Sequence, residues 1–289
     1  FHGAIADLPG STPARKMLVD NSLKYLEALS AESSTEPTLR RELASAYEKL
    51  ADVQGGFRAA NLGDTVGAIS SYQKALDIRK TLSDANLKDR ELRRELLRNY
   101  GKLSEVLTGY GDTKGALSAT RQVLKLAQEL AAPADATIAD RRNLASALGN
   151  LGFQLTRVSQ EGDGLIFMRQ AVALYEALLE VEPGDVEIRR LLGLSYQRMG
   201  DALEKYTDDY AGALQVHTRS YDIVRKLAEA DPRNTRMQKM LGYSLLGMGS
   251  AHDAGVVGRN IGEDPVERDV LLGEGVGQIV IGQAGERHH

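Results

Sequence analysis

An all-α protein built from stacked antiparallel helix pairs is what this sequence predicts, because three markers share one period of about 48 residues. The first is a glycine. Gly67, Gly115, Gly164 and Gly212 are spaced by 48, 49 and 48 residues, in the contexts GAIS, GALS, GLIF and GALQ. The second is a Leu or Met followed by a small residue, at Leu50–Ala51, Leu103–Ser104, Leu151–Gly152, Met199–Gly200 and Met248–Gly249. The third is proline. Pro37, Pro133, Pro183 and Pro232 each precede a new block, and proline fits the first turn of a helix while breaking the end of the one before.

The composition agrees. Hydrophobic residues make up 42% of the 289, charged residues 26% and aromatic residues 5%, with no Trp and seven prolines. A chain poor in aromatics and proline and rich in Ala, Leu, Glu, Arg and Lys favours helix. Lys and Arg total 36 against 40 Asp and Glu, a formal charge of −4. Nucleic-acid binding usually rests on a basic surplus, so that class is set aside. There is no cysteine, which excludes disulfides, thiol catalysis and Cys-ligated zinc together. No apolar run approaches the ~18 residues of a membrane helix, so no direct membrane insertion is expected of this segment.

Taken in order, residues 1–34 read as an N-terminal capping helix and linker. The helix spans 12–32, opens at Thr12 and Pro13, and carries Met17, Leu18, Leu23, Tyr25, Leu26 and Leu29. Residues 35–252 read as the repeat array: four full helical hairpins plus a fifth first helix. Each period holds two helices with apolar residues at helical spacing. Leu191, Leu194, Met199, Ala202 and Leu203 form the stripe of one first helix, and Ile69, Tyr72, Leu76 and Ile78 that of one second helix. A helix of about 18 residues is ~27 Å long. A pair of such helices cannot bury its stripe alone, but stacked pairs can, and small residues such as Gly200 let them approach closely. The segment GGFRAANL (55–62) accounts for the one spacing of 53, between Leu50 and Leu103. Residues 253–289 read as an irregular tail with eight glycines and one short strand-like run, GQIVIG (277–282).

GDTVGAIS (63–70) and GDTKGALS (111–118) raise the question of a phosphate loop. Such a loop needs GxxxxGK[ST] after a strand, and neither copy supplies it. Gly-Asp before a helix is a turn followed by an N-cap, so these segments are expected to join the helices of a pair.

The residues now on the page resemble the tetratricopeptide repeat. Tyr196, Met199, Gly200 and Leu203 match its first helix, and Ala68, Tyr72 and Ala75 its second, over residues 36–252. The period departs, being 48 to 53 residues rather than about 34, which requires longer helices or inserted turns. The resemblance implies a tetratricopeptide-like right-handed solenoid whose first helices line a concave groove for protein or peptide partners. A second resemblance covers AIADLPGSTPARKMLVDNSLKYLEAL (4–29), LRRELASAYEKLADVQG (39–55) and ANLGD (60–64). These are similar to the region that follows the membrane segment in bacterial, acidobacterial-type serine/threonine kinases with C-terminal repeat arrays. That resemblance implies a sensory or scaffolding region outside the catalytic domain. The segment would then be either the extracytoplasmic part of a membrane-tethered kinase or cytoplasmic.

Candidate chemistry is sparse. HRD, DFG and a VAIK-type lysine are absent, so no catalytic residue is assigned, and the chain is read as a non-enzyme without a cofactor. His217 and His252 occupy packing columns, where Tyr72 and Leu203 sit in other repeats. His2, His288 and His289 lie at the ends. No metal site is assigned, since zinc usually takes three or four ligands. The run KDRELRRELLR (88–98) reads as a solvated helix face with i,i+4 pairs. One column stands apart. Lys49, Lys102, Asn150 and Arg198 precede the Leu/Met marker, and Asp52, Glu105, Phe153 and Asp201 follow two residues after it. On the groove face implied by the resemblance, these eight form a partner-binding ladder for an extended peptide. Two rivals stand beside the peptide-binding scaffold. One is a helical self-association module, with a homo-oligomer formed through the groove or the unfinished C-terminal hairpin. The other is an enzyme with a groove active site, for which no convergent set of titratable residues is found.

Overall fold

The computed structural model of the protein describes residues 12–31, 36–56, 61–158 and 161–260. It is an all-α, tetratricopeptide-like array of antiparallel helix pairs with long repeats, and no strand occurs among the described residues. The helices are α1 (Thr12–Ala31), α2 (Pro37–Gly55), α3 (Thr65–Ala85), α4 (Arg90–Tyr110), α5 (Thr113–Ala131), α6 (Ile138–Thr156), α7 (Glu161–Val181), α8 (Val186–Thr207), α9 (Tyr210–Ala230) and α10 (Thr235–Asn260). The long period is therefore taken up by long helices, of 19 to 22 residues from α2 to α9. The chain forms two compact units, 1–191 and 192–289, which divide within α8.

The repeated Gly-Asp-Thr segments are turns with N-caps. The side chains of Asp64, Asp112 and Asp209 each accept a hydrogen bond of 2.9 Å from the backbone N–H of Gly67, Gly115 and Gly212. Such a bond satisfies one of the free N–H groups at the helix start. The glycine marker has a steric cause. A Cβ at Gly67, Gly115 or Gly212 would collide with the carboxylate of its own capping aspartate. Gly63 and Gly111 precede those caps with φ of 75° and 91°, and the corresponding residue of the later repeat is Asp208 at φ 53°. Gly164 serves differently. A Cβ there would press on the Gly152 carbonyl and the Thr156 side chain, so it allows α7 to approach α6.

In unit 1 the core runs from helix to helix. Val19 and Leu26 of α1 pack with Leu43, Tyr47 and Leu50 of α2. Ala51, Tyr72, Leu96, Leu103 and Ala116 form the next cluster. Leu124, Ala127, Leu148, Leu151 and Ala171 form a third. The small residues after the Leu/Met marker are points of close approach. Ala51 is fully buried, Ser104 bonds Thr120 at 2.7 Å, and the Cβ position of Gly152 is filled by α7. In unit 2, Val224, Leu227 and Ala228 of α9 pack with Met237 and Met240 of α10. The ring of His217 lies where a Cβ of Gly200 in α8 or Gly247 in α10 would stand.

Three expectations need amendment. His217 is wholly buried, as its column predicts, but His252 is exposed. The run 88–98 is not a solvated face: Leu92, Leu96 and Leu97 are buried, and Arg90, Arg94 and Glu95 are partly buried against other helices. Helix α10 continues to Asn260, into the stretch expected to be irregular from 253. Residues 261–289, including GQIVIG, lie outside the described residues, as do His2, His288 and His289. No described helix is long and apolar enough to cross a membrane.

Candidate functional site

In unit 1 the first helices α2, α4 and α6 are tied to one another by long side chains. Lys102 of α4 donates to Asp52 of α2 at 2.7 Å and pairs with Glu48 at 2.8 Å. Within the first pair, Gln54 of α2 accepts from Ser71 of the second helix α3 at 2.6 Å. Gln154 of α6 donates to Thr108 of α4 at 2.6 Å. Arg94 of α4 makes a two-pronged bond to Asp140 of α6, at 2.9 and 2.8 Å.

Between α2, α3 and α4 these contacts grow into an alternating chain of charge. Arg41 bridges Asp89 and Glu95. Arg79, only 3% exposed, bridges Glu95, Glu48 and Asn99. Lys102 bridges Glu48 and Asp52, and the Tyr72 hydroxyl donates to Asp52 at 2.5 Å. A buried cation without a partner is very costly, so each member depends on the next. Burial and the bond to Asp52 push the Tyr72 hydroxyl well above its ordinary range. Burial works against the Lys102 charge, but its bonds to Asp52 and Glu48 prevail and raise its pKa. Burial likewise works against the Glu48 carboxylate, and Lys102 and Arg79 outweigh it and lower its pKa.

The predicted ladder is distributed unevenly over this framework. Lys49 is exposed and, with Thr38, Arg41, Ser45 and Glu95, lines a shallow open groove on α2 and α4. Asp52 and Lys102 are brought together, each half-buried and bonded to the other. Glu105 is half-buried, and Asn150 is exposed. Phe153 is half-buried, and the Arg157 guanidinium lies 5.7 Å from its ring centre. Arg198 and Asp201 belong to unit 2. There, Arg198 is half-buried, and the exposed Asp201 carboxylate lies 3.7 Å from His217 Nε2. Glu204 comes closer to that nitrogen, at 3.2 Å.

Sequence reasoning missed Arg41, Glu48, Arg79, Glu95 and Asn99. The available signal was the apolar stripe itself: Arg79 and Asn99 lie at buried positions of α3 and α4, where a polar side chain needs a partner. Among the described residues no three or more His, Cys, Asp or Glu are grouped so as to hold a metal ion.

No protein-family model matches the chain, and no curated protein matches it. Among solved structures it is similar to BtubC (BKLC) from P. vanneervenii, with a TM-score of 0.58 at 17% identity, over 86% of this chain and 85% of that one. This likeness is one of fold. Two others are fainter: the yeast histone chaperone Hif1, described as a scaffold protein, at TM-score 0.40 and 13% identity, covering 84% of this chain and 98% of that one, and a Podosopora anserina putative kinesin light chain with TPR-like repeats, at 0.34 and 16%, covering 75% and 98%. Neither of the fainter two carries an argument about function.

Proposed function

We propose that the protein is a non-catalytic scaffold that holds an extended peptide against its first helices. The observation that carries this reading is the tie of α2, α4 and α6 through Lys102–Asp52, Gln154–Thr108 and Arg94–Asp140. It keeps three first helices side by side without using the exposed side chain of Lys49 for those bonds. An extended peptide presents backbone groups at regular intervals, and a row of charged and amide side chains matches them. In this reading Lys49, Asp52, Lys102, Glu105, Asn150 and Phe153 supply the face in unit 1, and Arg198 and Asp201 supply a corresponding patch in unit 2. Lys102 and Asp52 have a second duty, because their ion pair also joins two helices.

The test is selection of peptides from a random library on the full chain, followed by titration calorimetry. Lys49→Glu combined with Asn150→Ala is expected to weaken the selected peptide at least ~10-fold, about 1.4 kcal/mol. Lys80→Glu combined with Lys125→Glu, exposed on second helices, is expected to leave binding within about threefold. Equal loss in both pairs would overturn the placement.

The finer reading is that this scaffold serves a bacterial serine/threonine kinase-type signalling protein. It rests on the sequence resemblance of residues 4–29, 39–55 and 60–64. The native gene upstream of Phe1 is its test, and a gene without a kinase domain there overturns it.

A further inference from the structure

Helix α10 has two unlike sides. One packs on α9 through the buried Met237, Met240 and Ala251, the Ser244–Ser220 bond of 2.9 Å, and Gly247 against the His217 ring. On the other side Tyr243 is 58% exposed and Leu246 67%. The same side carries Gly242 and Gly249, and a Cβ at either would meet nothing within 4 Å.

Those glycines stand at a telling register. Forty-nine residues earlier, Gly193 and Gly200 of α8 are the points where α9 presses in, with Val224 and His217 at their Cβ positions. Gly242 and Gly249 therefore mark the α10 side that corresponds to a helix-receiving face.

We propose that this face is an interface between two copies of the protein, in which α10 pairs antiparallel with α10 of a second copy about a two-fold axis through Leu246. Lys239, Gly242, Leu246, Gly249 and Asp253 follow one another at spacings of three, four, three and four, the seam of a two-helix contact. A two-fold contact needs a self-complementary surface, and this one is self-complementary in size and in charge. With Leu246 opposite itself, Tyr243 falls opposite Gly249 of the second copy, a large side chain over a glycine. Gly242 falls opposite Ser250. Lys239, exposed, falls opposite Asp253, also exposed, so opposite charges meet at both ends. Within its own chain Asp253 lies 3.2 Å from His252 Nδ1, a contact between two exposed groups that solvent screens.

Sedimentation velocity on the full chain at tens of micromolar tests this. The expected species has twice the chain mass of 31.4 kDa. Leu246→Glu is expected to give monomer with an unchanged helical spectrum. Lys239→Glu and Asp253→Lys, each alone, are expected to weaken the dimer about tenfold by placing like charges opposite each other. The double variant is expected to return to within about threefold of the parent. A chain that stays monomeric, a dimer that survives Leu246→Glu, or a double variant no better than the singles would overturn the proposal. So would a monomer that dimerises only when cut after Asn260, since residues 261–289 would then be the occupant of the face. Peptide binding by unit 1 is read separately, so either idea can fail without the other.

Discussion

At the residue scale, glycines of one type do opposite things, and the structure separates them. Gly111 has a φ of 91°, a conformation that costs an L-residue about 1 kcal/mol or more. Gly111→Ala should lower the unfolding free energy by about 1 kcal/mol in urea. Asp208 holds the same kind of turn at φ 53°, so Asp208→Gly should be neutral or stabilising by a few tenths of a kcal/mol. Gly200 is fixed for a different reason, since its missing Cβ makes room for the His217 ring. Gly200→Ala should cost ~1–3 kcal/mol by overpacking, and Gly200→Leu no less. Gly101, in the middle of α4, faces open space. Gly101→Ala should stabilise by about 0.5–1 kcal/mol. If Gly101→Ala and Gly200→Ala moved the urea midpoint alike, the packing of His217 would be wrongly placed.

At the scale of the element, α6 begins on a carboxylate that has too many partners to be a simple cap. Thr137 and Asp140 form a reciprocal capping box, and the wholly buried Asp140 also receives both prongs of Arg94. The Arg94 bonds outweigh the cost of burial and, with Thr137, hold the Asp140 carboxyl far below the ordinary carboxylate range. A carboxylate whose folded pKa is lowered adds stability above its unfolded value, near 3.9, and loses it as pH falls towards the folded value. Asp140 therefore contributes fully at neutral pH and fades below about pH 4. Asp140→Ala should cost about 2–3 kcal/mol at pH 7, because it removes the capping box and leaves Arg94 only the exposed Glu91, and should flatten the acid limb of the stability curve. Arg79 is the matching case in α3. Arg79→Ala removes the buried cation between Glu48 and Glu95, leaving them Lys102 and Arg41 alone, and should cost about 2 kcal/mol. Arg225→Ala, in an exposed i,i+4 pair with Glu229, should cost under ~0.5 kcal/mol. Equal costs at 79 and 225 would refute the buried network.

At the scale of the whole molecule, stability in a repeat array is a sum of local terms, each repeat leaning on its neighbours. Within unit 1 this predicts graded damage. In Asp140→Ala, hydrogen exchange should rise first in α4, α5 and α6, and less in α2, which touches none of the altered bonds. Uniform acceleration from α1 to α7 would mean that unit 1 opens as one cooperative block. The composition of the array also limits what it does. Its buried polar groups are spent on joining helices: Ser71 to Gln54, Ser104 to Thr120, Ser220 to Ser244. The proposed partner faces on the first helices and on α10 draw instead on exposed and half-buried side chains.

The sequence by itself determined the period, the helix pairs and the turns, because those depend on neighbours along the chain. Asp64 and Gly67 are three residues apart and explain each other, and the Leu50, Leu103, Leu151 and Met199 column shows the buried side of four first helices by spacing alone, while Met248 in the fifth is only half-buried. The candidate site was legible only in part. The column places Lys49, Lys102 and Asn150 alike on one face of the first helices, yet Lys49 and Asn150 are exposed whereas Lys102 is half-buried in ion pairs. Its partners Glu48 and Asp52 lie a full repeat away, as Asp140 does from Arg94 at 46 residues and Glu95 from Arg41 at 54. Charge runs were therefore matched to partners four residues off, when the stronger ones sit on the next helix pair. His252 shows the same limit from the other side: its column predicts burial, but burial needs a helix laid against it. Only the tertiary structure decides such matters, since local spacing sets which way a side chain points, whereas desolvation and ion pairing are set by what another part of the chain brings to meet it.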